Sequence, residues 1–201
     1  MKKIILIGAG GHAKTCIDVI EQEKKYKISF LLDKQNKKSK LLKYKILKEN
    51  KFVNSKKKIK YIFISIGQIK NSKIREIKFN KFKKSGYNFP IIKSPNAYVS
   101  KNSHIKEGTL IAHGCIINSG VSVGHNTILN NRSLLDHDVR VGNNCHISTG
   151  AILNGNVKVG SNTFIGSGTI IKESVSIGKN CLIGAGLTIK NDIKSFSIKK
   201  K

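Results

Sequence analysis

"VSVGHNTILNNRSLLDHDVRVGNNCHISTG", residues 121–150, divides into five hexads with no insertion: VSVGHN, TILNNR, SLLDHD, VRVGNN and CHISTG. Each has an aliphatic residue third and a small or β-branched residue first. The frame runs outward in both directions, from Ala97 to Asp192, for 16 hexads whose third residue is always Val, Ile or Leu, from Val99 to Ile189. The last two positions are rich in Gly, Asn and Ser, which form turns. A six-residue period marks a parallel β-helix, because each short side buries its third residue and the turn formers make the corners. Three hexads per coil predict about five stacked coils. Cys115, Cys145 and Cys181 all hold the first position, so they read as small buried apolar residues.

The chain has 201 residues and a formal net charge of +27. Of its 38 basic residues, three are Arg and 35 are Lys, spread along the chain, and aromatic residues make up 6%. Nucleic-acid readers lean on Arg forks and aromatic stacking, so no nucleic-acid partner is expected. The charge suits attraction of anionic, phosphate-bearing substrates instead. No run approaches the roughly 18 apolar residues of a membrane span. The start, "MKKIILIGAG", reads as a first strand and not a signal peptide, which gives a cytoplasmic expectation. The cysteines, Cys16 included, lack CxxC spacing, so no metal site is expected.

Residues 1–93 follow another rhythm and read as a separate α/β domain, with 94–201 as the β-helix domain. "KIILIG" (3–8), "KISFLLD" (27–33) and "YIFISIG" (61–67) read as strands, and "NFPIIK" (88–93) as a fourth strand or an extended linker. "HAKTCIDVIEQEKK" has Ala13, Cys16, Ile17 and Ile20 at helical spacing. "KIREIKFNKFKKSG" (73–86) reads as a helix with Ile74, Ile77 and Phe82 on one side, stopping at Gly86. The lysine-rich stretch from Lys37 to Lys58 takes no firm assignment. Alternating strands and helices imply a parallel sheet, here half of a Rossmann-like unit.

"GAGGHA" (8–13) follows a strand and opens a helix, as in turns that present phosphates to a helix N-terminus. Asp33 ends the second strand, where such folds grip a ribose hydroxyl, and Gly67 ends the third beside the same crevice. A dehydrogenase would satisfy the glycine pattern, but half of this chain is β-helix and no catalytic domain is left over. One bound nucleotide, near Gly8, Gly10, Gly11 and Asp33 and within reach of His12, fits better.

A "GAGGHAK" turn joined to uninterrupted hexads bearing "DHD" resembles the bacterial sugar acyltransferases of the NeuD and PglD kind, from Lys3 to about Ile193. The resemblance implies a left-handed β-helix, a homotrimer with active sites between subunits, and acetyl-CoA as donor. It makes His137 the general base and Asp138 the residue that orients it. His146 then meets the acetyl group, and Asn130 lines the same cleft. Main-chain donor contacts fall near Gly155, Ser167 and Ala185, and acceptor contacts on Gly10, Gly11, His12, Asp33 and Gly67. The chemistry suits these types. An amine attacking a thioester sheds a proton to a histidine whose pKa lies near the working pH, and a carboxylate fixes the imidazole tautomer. A hydrogen bond from His146 would stabilise the thioester oxygen. Asp136 reads as a corner residue, and His104, His113 and His125 receive no role.

The expected activity is acetyl-CoA-dependent N-acetylation of a nucleotide-linked amino sugar. O-acetylation of a sialic-acid-type sugar and a non-catalytic nucleotide-sugar-binding scaffold remain alternatives. Two departures from the family pattern stand out. Lys34 replaces a second acidic residue found in some relatives, and the tail "NDIKSFSIKKK" lacks the usual Gly and Pro. Its terminal lysines read as a solvated tail, with a contact to coenzyme phosphates as the alternative.

Overall fold

The structure is a computed structural model describing residues 1–34, 39–52 and 59–200, with only the backbone of Lys51. The chain opens with β1 (Lys2–Ile7), α1 (Gly11–Glu23), β2 (Tyr26–Asp33), β3 (Lys40–Leu41), β4 (Tyr44–Lys48), α2 (Glu49–Phe52), β5 (Tyr61–Ile64) and α3 (Lys73–Lys84). One sheet runs in the order β3-β4-β2-β1-β5, parallel throughout except for the β3–β4 hairpin. The lysine-rich stretch thus supplies that hairpin and α2, and the rest of it lies outside the described residues. Alternation along β1 splits its core in two. Ile4 and Leu6 join the cluster around α1, while Ile5 and Ile7 join Phe79, Phe82 and Phe89 on the α3 side.

The α3 boundaries match the sequence reading, and Gly86 closes the helix with φ +76°. Its buried face does not. Arg75, Phe79 and Phe82 are buried, whereas Ile74 and Ile77 are 60% and 54% exposed. The two isoleucines border a cavity instead of the core.

From β6 (Ile92–Lys93) onward the chain is a left-handed parallel β-helix. Every hexad contributes a two-residue strand at its second and third positions, and strands 18 residues apart pair in parallel: Ile117, Leu135 and Leu153 stack in one row. Three sheets result. The first face begins at Tyr98–Val99, the second at His104–Ile105, and the third at β6 followed by Leu110–Ile111. Third-position residues fill the interior, with Leu135, Ile147 and Leu153 fully buried. First-position threonines in this core are satisfied: Thr127 Oγ1 donates to Gly142 O at 3.1 Å and Thr163 Oγ1 to Gly178 O at 2.8 Å. Every sixth position from Gly108 to Gly186 has positive φ, including Asn126, Asp138 and Asn144. Gly, Asn and Asp tolerate that left-handed geometry, which explains their monopoly of most corners.

The tail adds one more rung despite lacking Gly and Pro. Ile193 bridges to Ile177, and Ile198–Lys199 pairs with Leu182–Ile183, an offset two residues shorter than elsewhere. Phe196 takes the left-handed corner there and stays 76% exposed.

The two halves share one core. α1 packs on β6, and Ala13, Cys16, Ile17 and Ile20 join Ile92, Leu110 and Ile128 in a continuous cluster. Two histidines without a predicted role fasten this seam. His113 hydrogen-bonds Ser94 Oγ at 2.7 Å and Asp18 Oδ2 at 2.9 Å, and His125 stacks on Phe79 with ring centroids 4.9 Å apart. Arg75, fully buried, donates to Ile64 O, Ile66 O, Asn126 O and Asn126 Oδ1. It ties the segment after β5 to a β-helix corner.

Candidate active site

The first part of the site lies at the carboxyl ends of β1, β2 and β5. A cavity of about 750 Å³ is lined by the Gly8–His12 turn, Asp33, Lys34, Gly67, Ile74 and Ile77, with Glu49 and Lys78 also at its wall. The turn is built for close approach. Gly8 has φ +105°, and a Cβ there would strike Ile66. Gly10 and Gly11 face open space, and no acidic side chain occupies the first turn of α1, so its backbone N–H groups remain available to an anion. Asp33 Oδ2 accepts the Ala9 N–H at 2.9 Å, which pins the turn against β2. Gly67 packs on His12, where a Cβ would come within 3.2 Å of the histidine Cβ. All the predicted acceptor residues of this half therefore meet at one cavity.

His12 connects this cavity to the β-helix. Its ring lies 6.2 Å from that of His146, which packs edge-on against Phe164 at 5.1 Å. His146 is buried, and its Nδ1 lies 2.6 Å from Gln68 O. A carbonyl only accepts, so Nδ1 carries the proton and Nε2 is an acceptor, with Asn130 Nδ2 at 3.5 Å. Burial, aided by the Arg75 charge, pulls the His146 pKa down to about 4, and burial with the charges of Arg75 and His146 takes His12 to about 3. Both rings are neutral near pH 7. In this tautomer His146 presents an acceptor nitrogen at Nε2 and has no Nε2–H to give a thioester oxygen.

The third part stands apart on the corner after the first face. His137 Nδ1 lies 3.0 Å from Asp138 Oδ2, and both side chains are about two-thirds exposed, at 63% and 66%. Asp138 holds the left-handed sixth position with φ +61°. The hydrogen bond to Asp138, then the nearby Asp136 charge, raises the His137 pKa above its ordinary value. Asp136 is a corner residue with a job: its Oδ1 accepts Asn118 Nδ2 at 2.9 Å and the His137 N–H at 2.8 Å. Gly155 lies one coil on, at the same corner as His137. Ser167 and Ala185 occupy a different corner, after the third face, where Ser167 Oγ meets Ser148 Oγ at 2.9 Å. One chain therefore gathers the cavity residues with His12, and gathers Asn130 with His146, but leaves His137 and Ser167 on separate edges.

The sequence reading passed over Arg75, Glu49 and Lys78. Arg75 carried a signal, being one of three arginines in a lysine-rich chain. Among the described residues no cluster of His, Cys, Asp or Glu has the makings of a metal site, and no helix is long and apolar enough to cross a membrane.

The family model of the PglD N-terminal domain matches residues 3–82, and that of the bacterial transferase hexapeptide (six repeats) matches residues 156–191. The acetyltransferase domain of PglB from Neisseria gonorrhoeae, solved with acetyl coenzyme A, is 26% identical with a TM-score of 0.92, covering 98% of this chain and 95% of that one. PerB from Caulobacter crescentus, solved with CoA and GDP-perosamine, is 25% identical with a TM-score of 0.89, covering 97% and 92%. WeeI from Acinetobacter baumannii shares the fold at 24% identity and a TM-score of 0.88, covering 97% and 94%. No curated protein matches the chain.

Proposed function

We propose that this chain, a PglD N-terminal domain joined to bacterial-transferase hexapeptide repeats, is an acetyl-CoA-dependent N-acetyltransferase acting on a nucleotide-linked amino sugar. The observation that carries the reading is the His137–Asp138 pair, set at a β-helix corner with Nδ1 committed to the carboxylate at 3.0 Å. That bond leaves Nε2 with a free lone pair, as a general base requires. The acceptor amine attacks the thioester carbonyl and passes its proton to His137 Nε2. The tetrahedral intermediate collapses, the C–S bond breaks, and the departing thiolate takes the proton back from the imidazolium. Asp138 stabilises that imidazolium while it lasts.

The cavity at Gly8–His12 supplies the acceptor site. A nucleoside diphosphate lays its phosphates on the N-terminus of α1, with Asp33 and Gly67 beside the nucleoside. The exposed isoleucines Ile74 and Ile77 give its flat base an apolar wall. PerB, which shares the fold, was solved with a GDP-linked sugar, and this supports the substrate class.

The donor runs past Gly155, Ser167 and Ala185, touching main-chain groups. His146 contributes an acceptor nitrogen there, suited to an amide N–H of the pantetheine arm. His137 and Ser167 lie on different edges of one β-helix, so a complete site draws on two copies. The first face supports such association: Tyr98, Ile116, Leu134, Ile152 and Ile170 form an apolar row in register, with Tyr98 60% exposed. A homotrimer closes this arrangement on itself.

The test is thiol release from acetyl-CoA with UDP-, GDP- and dTDP-linked 4-amino sugars and with free and CMP-linked sialic acids. Turnover on one amino sugar is expected. Turnover confined to sialic acids would replace N-acetylation by O-acetylation, and silence with no acetyl-CoA binding would refute the reading.

A further inference from the structure

The corner that carries His137 and Asp138 is flanked by glycine on both neighbouring coils. Gly155 is the residue one coil on from His137, and Gly120 is one coil back from Asp138. A Cβ on Gly155 would stand 2.5 Å from His137 Nε2 and 2.6 Å from Cε1. A Cβ on Gly120 would strike Asp138 Oδ1. Each distance lies far inside van der Waals contact.

Backbone geometry does not account for both glycines. Gly155 is not among the positive-φ residues, so its conformation suits any side chain. Gly120 has φ +76°, but Asn126, Asn144, Asn156 and Asn162 hold the same sixth position at similar φ. At the His137 corner the coils before and after the pair both present bare backbone where a side chain is otherwise allowed.

We propose that Gly155 and Gly120 are positioning residues: together they form a slot, one coil deep on each side, that lets the exposed imidazole lie flat over the solenoid edge with Nδ1 on Asp138. Without the slot, two side chains that are about two-thirds exposed are held to one rotamer pair by their mutual hydrogen bond alone. This assigns Gly155 a steric role through His137, separate from any main-chain contact with the donor. Its catalytic consequence rests on His137 being the base.

Gly155→Ala and Gly120→Asn test it, because each fills the slot from one side, Gly155 lying outside the positive-φ region and Asn being a residue that other coils carry at the sixth position. The first readout is the NMR titration of the His137 imidazole, assigned with His137→Ala. The wild-type ring is expected to titrate above the ordinary histidine value of about 6.5, and both variants to fall back toward it, with the melting temperature retained. The second readout is kcat, expected to fall about 100-fold in both, as for a small misplacement of a reacting group. An unchanged titration in both variants would overturn the proposal. So would a loss of kcat in Gly155→Ala alone with a normal titration, which would leave only a donor contact. Were wild-type protein silent with every acceptor while the titration still shifted, the slot would stand and the reading of His137 as base would fall.

Discussion

Histidine at a β-helix corner is commonplace, and this chain places His113, His125 and His137 at the same hexad position with three different fates. His113 and His125 are consumed by the seam with the α/β domain. His137 keeps its Nε2 clear and has a carboxylate on Nδ1. Replacing His137 by Ala is expected to lower kcat by roughly 10²- to 10⁴-fold, the span of general-base catalysis. Asp138→Asn tests the electrostatics separately. The largest cause of the raised His137 pKa is its hydrogen bond to Asp138. A base works deprotonated, so the wild-type rate climbs with pH through that raised value, and the acid limb of Asp138→Asn should move to lower pH with a reduced plateau. A limb that stays put would mean another group titrates. At this scale the sequence made the His137–Asp138 contact easy to see, because its partners are adjacent. His146 was less legible: its polarity depends on Gln68 O, 78 residues away in sequence.

Among the elements, the hexad is the unit of stability. A third-position residue such as Ile147 is wholly buried and paired in register with Leu129 and Ile165. Ile147→Ala should cost 2–5 kcal/mol, measured by denaturant unfolding, roughly the range for truncating a buried aliphatic side chain. The hexads were readable because sequence period and structural period coincide, and the register from Tyr98 to Ile189 follows from counting, whereas the shorter offset of the last rung does not. The α3 helix shows where counting fails. Its spacing fixed the length, but Ile74 and Ile77 line a cavity while Arg75 is buried, because Arg75 finds four oxygen acceptors, two at the end of β5 and two on a β-helix corner it meets only in three dimensions. The seam also titrates. The folded pKa of His146, about 4, lies below the unfolded value, so the unfolded chain takes up protons that the folded chain refuses. Stability should therefore fall as pH drops from about 6.5 toward about 4, and His146→Asn should lessen that slope in melting curves, with His12 retaining its share.

For the whole molecule, the α/β domain and the β-helix are one body with a shared core, yet the proposed base and the proposed donor edge lie on corners that a single chain keeps apart. The apolar row on the first face is where a second copy would seat. Ile116→Glu with Ile152→Glu places charge on that row, and should yield monomers by light scattering together with loss of turnover. Neither position touches the proposed base or the cavity, so intact folding with retained activity would show that one chain suffices. The expectation of an assembly rests on a family resemblance and not on the hexad count. The period gives each copy three faces but does not say which of them another copy covers.

The most direct test of a base and donor site shared between copies is complementation. His137→Ala removes the base, and Ala185→Trp obstructs the proposed donor edge, so each variant alone should be inactive. Co-expressed, they form mixed assemblies in which some interfaces pair an intact His137 with an intact Ala185 edge. Recovery of acetyl-CoA thiol release in the mixture, absent from either variant by itself, is the predicted result. Mixed assemblies that form and stay inactive would contradict it, and would place base and donor on one chain.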